Sequence, residues 1–414
     1  MNGRKNAVLR AMLFAAVLSC CLLACACAFA SESGECGEHL TWTLADNGTL
    51  TITGWGEMDD YAQAPWSDPT AVTRLSFIAE SSGVATDGDL TPGTEPIVGI
   101  TGIGSHAFDG CTALTSVTIP DTVTRIGTSA FAGCTALTEA VLPAGVTALQ
   151  PGTFAGCEAL ASITLPDLTM LGANCFQGCK ALTEIALPDD LGSIGQNAFA
   201  GCEGLTSLTL PTGLRSIDAG AFSGCVGLTA LSLPDGTRTV GTSAFEGCTG
   251  LTAVTLGQSL TTLDQKAFQN CTGLRIVSLP STLSTLGYHV FYGCSGLKRI
   301  VVTGTSTQTP TFAFSTPYPV LYCYTGSTAD TGSNASKFTR RHLDAVPLQL
   351  PADLIRIDSE ALAGLGSAEA IRIGDAVTDI AGDAFDGTEA VIIAPAGSYA
   401  AAWATEHAMV LLEE

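Results

Sequence analysis

At 414 residues the chain is long enough for two or three ordinary domains. Its 17 basic against 39 acidic side chains leave a formal net charge of -22, which repels phosphates and excludes nucleic acid as a partner. Only 14 % of residues are charged while 46 % are apolar, so the chain folds, and 16 cysteines are too many to be staples for a small core.

Arg4, Lys5 and Arg10 precede an apolar run from Ala11 to Ala30. Ala28-Phe29-Ala30 ahead of Ser31 has the small-x-small form of a signal-peptidase site, which makes residues 1–30 a signal peptide. Leu22-Leu23-Ala24-Cys25 also resembles the lipobox of bacterial lipoproteins, so a lipidated Cys25 is the second processing route. Both routes carry the protein out of the cytoplasm, either secreted or at the cell surface. The membrane enters only through that leader or that lipid.

Residues 31–71 read as an N-terminal β cap. Leu40 to Thr53 gives two strands joined by an Asp46-Asn47-Gly48 turn. Leu75, Phe77 and Ile78 look like the first strand of a repeat region over 72–302, interrupted at 79–96 by an acidic loop. Asp87, Asp89 and Glu95 in that loop lack the spacing of a calcium-binding EF-hand.

Phenylalanine followed three residues later by cysteine then recurs nine times. The pairs are Phe108/Cys111, Phe131/Cys134, Phe154/Cys157, Phe176/Cys179, Phe199/Cys202, Phe222/Cys225, Phe245/Cys248, Phe268/Cys271 and Phe291/Cys294, 23 residues apart with a single step of 22. In the unit AFAGCEGLTSLTLPTGLRSIDAG, Leu205, Leu208 and Leu210 face one way, and Ser207 and Thr209 the other. That alternation is a half-buried strand, and Pro211 ends it because proline cannot donate to a ladder. Leu214 and Ile217 form a second short apolar pair before the turn closes. No unit can bury its own apolar face, so the units must stack. Nine coils at about 4.8 Å make a sheet roughly 43 Å long.

The pattern LTxVxLPxxVxxIGxxAFxGC resembles the bacterial BspA-like class of leucine-rich repeat, found also in treponemal surface proteins. The resemblance implies a repeat solenoid. It would have one long parallel β-sheet, short turns or helical segments on the other side, a β-hairpin N-cap and a helical C-cap. It also implies adhesion to host extracellular proteins or to other bacteria. In such repeats a turn residue stacks on its equivalent in the next coil, and here that residue is cysteine. Parallel neighbours about 4.8 Å apart exceed a comfortable Cβ separation for a disulfide. The nine cysteines therefore read as a structural ladder of buried free thiols acting as small hydrophobes. Cys36, Cys175 and Cys323 fall outside it, and their state stays open.

After Val302 the pattern breaks. Residues 303–347 read as an interruption, and 348–395 as two degenerate repeats with Leu362 and Phe385 23 apart. Residues 396–414 form a helical C-terminal cap. Tyr324-Thr325-Gly326-Ser327-Thr328-Ala329 recurs as Pro395-Ala396-Gly397-Ser398-Tyr399-Ala400, with Ser398 as N-cap of a helix from Tyr399 to His407.

No HExxH, GxSxG or phosphate-binding loop occurs, and His39, His106, His289, His342 and His407 follow no repeat. Asp121, Asp167 and Asp235 recur as turn formers. The chain therefore reads as a non-enzyme without metal or cofactor, and as a monomer. The informative surface is the solvent face of the sheet: Ser116, Thr118, Glu139, Ser162, Thr164, Glu184, Ser207, Thr209, Ser232, Thr255, Ser278 and Arg299. Its expected partner is a protein or glycan at a cell surface, and the alternative is a structural spacer that binds nothing specific.

Overall fold

Each coil is two extended segments and one turn, and the segments and turns pair with their equivalents in neighbouring coils over most of the chain. A computed structural model describes residues 32–81, 97–365 and 370–414. The expected signal peptide, with Cys25 and Ala30, and the acidic residues Asp87, Asp89 and Glu95 lie outside them. Ala79 to Ser81, expected in the loop of 79–96, belong to the strand Arg74–Ser81, and the remainder of that loop lies outside the described residues.

The first segment is the leucine-threonine strand. Leu231 of Ala230–Ser232 points into the core while both neighbours face solvent, the period-2 pattern of a half-buried strand. It pairs in parallel with the next coil, Ala230 opposite Ala253 and Ser232 opposite Thr255. Ser116–Thr118, Glu139–Val141 and Ser162–Thr164 form one stretch of this sheet, and six strands from Ala230–Ser232 to Arg340–His342 form another. Between the stretches the pairing narrows to one bridge, Ala186 with Thr209.

The second apolar pair of the unit is a strand as well. Ala148–Leu149, Met170–Leu171, Ser193–Ile194, Ser216–Ile217, Thr239–Val240, Thr262–Leu263 and Thr285–Leu286 form a seven-stranded parallel sheet on another side of the coil. The turn supplies a third ladder, in which Phe199 N–H donates to Ala221 O and Phe222 N–H to Ala244 O, each at 2.7 Å. Two positions of that turn are left-handed. The residue two before each phenylalanine has positive φ, as at Asn197 (52°) and Ser243 (57°), and so has the residue before each cysteine, as at Gly201 (73°). The glycine preceding cysteine therefore answers a backbone need. Asn270 (61°) replaces it because asparagine tolerates that region.

Inside the coil the phenylalanine rings form one column. Neighbouring centroids from Phe108 to Phe291 lie 5.1 to 5.8 Å apart, nearly parallel. At the N-terminal end Trp66 stacks on Phe108 at 5.5 Å, with Trp42 edge-on against Trp66. The cap that supplies them contains Leu40–Leu44 and Thr49–Gly54, paired antiparallel about the Asp46-Asn47-Gly48 turn, with Glu32–Gly37 added outside.

Residues 303–347 do not interrupt the solenoid. Val320–Cys323 and Arg340–His342 extend the sheet beyond Arg299–Val302, and Phe314 extends the ring column at 5.7 Å from Phe291. No cysteine stands three residues after Phe314, which hid these coils in the sequence. The degenerate repeats build a second stack: Leu348–Gln349, Ala370–Arg372, Val391–Ala394 and Val410–Glu413 form a four-stranded parallel sheet. In this stack the Thr388 hydroxyl donates to Leu362 O at 2.7 Å, where the main stack uses a cysteine thiol. The helix Tyr399–Glu406 starts on Ser398, whose hydroxyl accepts from Ala401 N–H, and Ser327 caps Thr328–Thr331 in the same way. The sequence echo between 324–329 and 395–400 is thus a shared turn into a helix.

Candidate functional site

Strand alternation decides which side chains reach solvent on the main sheet. Ser116, Thr118, Glu139, Ser162, Thr164, Glu184, Ser207, Thr209, Ser232, Thr255 and Ser278 are all exposed. Register brings several together: Glu139 lies between Ser116 and Ser162, and Val141 between Thr118 and Thr164. Val141, 58 % exposed, is the one large apolar side chain among these neighbours. At the start of the strands, threonine hydroxyls are used inside the fold. Thr138 donates to Thr115 O and Thr252 to Thr229 O, each at 3.1 Å.

Arg299 is a correction to the sequence-based face. It is half-buried, and its guanidinium donates to Ala408 O at 2.7 Å, because the second stack packs onto the outward face of the last coils. Val301, Tyr322 and Leu343 pack there against Ala370, Val391, Ile393 and Val410, with Ile276 at the margin. Tyr322 is wholly buried and donates to Glu389 O at 2.8 Å, while Arg341 pairs with the Glu389 carboxylate at 2.7 Å. Val301 and Tyr322 hold outward positions filled by serine or threonine in several earlier coils. That change of residue type was the available signal, and sequence reading missed it. The open face therefore runs from Ser116 to Ser278.

Beside this contact lies a cleft of about 650 Å³, lined by Phe291, Cys294, Pro317, Tyr318, Phe385, Trp403 and His407 among others. Cys294 is the last thiol of the ladder. All twelve cysteines of the described residues are buried and unpaired by disulfides.

The ladder thiols are more than the small hydrophobes expected from the sequence, and this is a second correction. Eight of them are hydrogen-bond donors to the phenylalanine carbonyl of the preceding coil. Cys134 donates to Phe108 O at 3.3 Å, Cys157 to Phe131 O at 3.2 Å and Cys179 to Phe154 O at 3.3 Å. Cys202 and Cys225 donate to Phe176 O and Phe199 O, and Cys248 to Phe222 O, each at 3.2 Å. Cys271 and Cys294 close the series on Phe245 O at 3.1 Å and Phe268 O at 3.0 Å. The 23-residue spacing showed the burial of Cys157 and Cys248 but not this bond, because the acceptor is backbone of another coil.

Burial pushes the Cys111 and Cys202 thiols up to about 12 and Cys323 to about 11. Contact with the neighbouring thiol, Cys157 for Cys134 and Cys248 for Cys271, together with burial, raises those two as well. A thiol held protonated in this way is neither a nucleophile nor a metal ligand. Among the described residues no group of three or more His, Cys, Asp and Glu side chains could hold a metal ion. Nor, among them, is any helix long and apolar enough to cross a membrane.

This coil, with its leucine strand, turn and phenylalanine column, is matched by the profile of the BspA type leucine rich repeat region over residues 97–206 and 192–318, more than half of the chain. The chain belongs to that family. No curated protein sequence matches it. Among solved structures, a leucine-rich repeat protein from Bacteroides ovatus is 23 % identical. The match covers 91 % of this chain and 99 % of that one, with a TM-score of 0.46. A leucine rich cell surface protein from Faecalibacterium prausnitzii is 21 % identical, covering 76 % of this chain and 95 % of that one at a TM-score of 0.35. A leucine rich repeat protein from T. pallidum is 23 % identical, covering 64 % and 91 % at 0.32. Seen as a BspA-type solenoid, the chain shows no evident catalytic domain among its described residues, and its candidate site is a face.

Proposed function

We propose that this BspA-type protein is exported and acts at the bacterial surface as a non-enzymatic binding protein, holding a protein or glycan on its open strand face. The observation that carries the reading is the uncovered row from Ser116 to Ser278, in strand register over residues 116–164 and again from Ala230 onward. A parallel sheet without covering helices is the usual concave binding surface of a repeat protein. Export rests on the leader-like first thirty residues, and the charge of -22 keeps nucleic acid out. The test is saturable retention of host matrix proteins or intact bacterial cells by immobilised residues 31–414. Binding that falls when Glu139→Lys and Glu184→Lys are combined supports the face as the site. Retention unchanged by that pair removes it.

One observation favours a second reading, that of a structural spacer. Arg299 is tied to Ala408, and the open face then carries mainly small hydroxyl and apolar side chains, poor in the tyrosine, tryptophan and arginine that anchor interfaces. Absence of any retained partner selects this reading.

A further inference from the structure

One coil breaks the uniformity of the solenoid at its exposed turn. Three residues before the core phenylalanine the earlier coils carry Thr128, Gln196, Thr242 or Gln265, and the coil of Phe291 carries Tyr288. Two residues before cysteine they carry Ala132, Ala200, Ser223 or Gln269, and here stands Tyr292. Tyr288, Tyr292 and, in the next coil, Phe312 are 49 %, 44 % and 46 % exposed. With His289 they form a surface column of rings. Phe312 stacks on Tyr288 at 5.3 Å, Tyr288 lies over His289 at 3.9 Å, and His289 over Tyr292 at 4.5 Å. The fold does not require these side chains, since the core ring of the coil is Phe291 and the eight earlier coils carry no aromatic residue at either position.

From this juxtaposition we infer that the Tyr288–His289–Tyr292–Phe312 column is a binding site for a neutral oligosaccharide. The apolar C–H face of a pyranose packs on an aromatic ring, and its hydroxyls need donors and acceptors at the rim. The phenol hydroxyls and the imidazole supply them, and the same turn of the preceding coil adds the exposed side chain of Asn270, whose backbone N–H bonds to Tyr292 O. The flanking turn positions are Gln265, Lys266, Gln269 and Asn270 on one side and Thr311 and Ser315 on the other. Lys266 is the one charge at these six positions, and the nearest carboxylate in the turn, the half-buried Asp264, lies beside Gly287. The overall negative field disfavours an anionic sugar. Size disfavours a protein: three half-exposed aromatic side chains offer roughly 300 Å², against about 800 Å² per partner in a stable protein interface. The small polar neighbours do not extend the patch.

This deepens the binding-protein reading by naming a second site away from the strand face, and it rests on that reading for its biological sense. The test is calorimetric titration of purified residues 31–414 with cellohexaose, chitohexaose and mannohexaose, with a sialylated oligosaccharide in parallel. At least one neutral hexasaccharide should bind. The pair Tyr288→Gln and Tyr292→Gln, which installs side chains that neighbouring coils already carry, should weaken it about tenfold or more, as loss of two stacking contacts implies. Unchanged thermal unfolding keeps that comparison clean. Failure of all three neutral sugars, equal binding by the double variant, or preference for the sialylated sugar overturns the inference. A protein ligand lost in the same variant overturns the ligand class. The Glu139→Lys and Glu184→Lys pair must leave sugar binding intact, so failure here is distinct from failure of the strand face.

Discussion

The phenol hydroxyl of Tyr322 donates to the main-chain carbonyl of Glu389, 2.8 Å away across the contact between the two stacks. Tyr322 is the bulkiest of the buried side chains in that contact, although it sits on the outward side of its strand. Tyr322→Phe keeps the packing and removes one buried hydrogen bond, for a loss of about 1 kcal/mol. Tyr322→Ala opens a cavity and is expected to cost about 3–5 kcal/mol. Hydrogen exchange read by mass spectrometry checks this. Protection of the strands Val391–Ala394 and Val410–Glu413 should fall in the alanine variant, while that of Glu139–Val141 stays unchanged. A uniform loss along the chain would show that the two stacks unfold as one unit.

The aromatic column yields a second expectation. Phe222 is fully buried, with ring neighbours at 5.2 Å on both sides. Phe222→Ala removes contacts with Phe199 and Phe245 together and should cost about 3–5 kcal/mol in urea unfolding. Because each coil leans on its neighbours alone, the same change should split the transition by letting the two halves melt separately. A single, merely shifted transition would contradict nearest-neighbour stability.

The main repeat was legible because its constraint is periodic. Phe199, Cys202, Leu205 and Leu210 each answer a fixed place in the coil, so their spacing states the fold. The coils within 303–347 were not legible, since they keep the backbone path but change side chains, and Phe314 has no cysteine after it. Those of Leu362 and Phe385 were legible from the 23-residue step alone, with Thr388 standing in for the cysteine. Arg299 failed as a free anchor for another reason. Its place on the outward face follows from strand alternation, yet its cover comes from Ala408, 109 residues further on, and no local pattern encodes that contact. The aromatic turn at Tyr288 was visible as residues but not as a cluster, because Phe312 joins it from the next coil.

Thr388 also predicts what can replace a ladder cysteine. Its hydroxyl donates to Leu362 O as the Cys225 thiol donates to Phe199 O at 3.2 Å. Cys225→Thr should therefore fold with a loss of about 1 kcal/mol or less, whereas Cys225→Ala removes one of the two hydrogen bonds to Phe199 O, which keeps the Cys202 N–H, and leaves a small void, for about 1–3 kcal/mol. Urea midpoints of the two variants decide it. An alanine variant as stable as threonine would mean that the thiol bond contributes nothing measurable.

The thiols also set an alkaline limit. In the unfolded chain they ionise near the ordinary value of 9.0, whereas burial holds Cys36, Cys111 and Cys202 to about 12 and Cys323 to about 11. Below 9.0 both states are protonated and stability does not depend on these groups. Between 9.0 and about 12 the unfolded state binds fewer protons than the folded one, so stability falls as pH rises. Each such thiol contributes at most about 1.4 kcal/mol per pH unit. The urea midpoint should therefore be flat between about pH 7 and 8 and drop steeply by about pH 10. Iodoacetamide should leave the folded protein unlabelled at about pH 8, where thiolate is scarce and buried, and label it fully in urea. Replacing Cys202 and Cys225 by threonine should make the alkaline drop shallower. A midpoint that stays flat to about pH 10, or rapid labelling of the folded chain, would contradict the burial of the ladder.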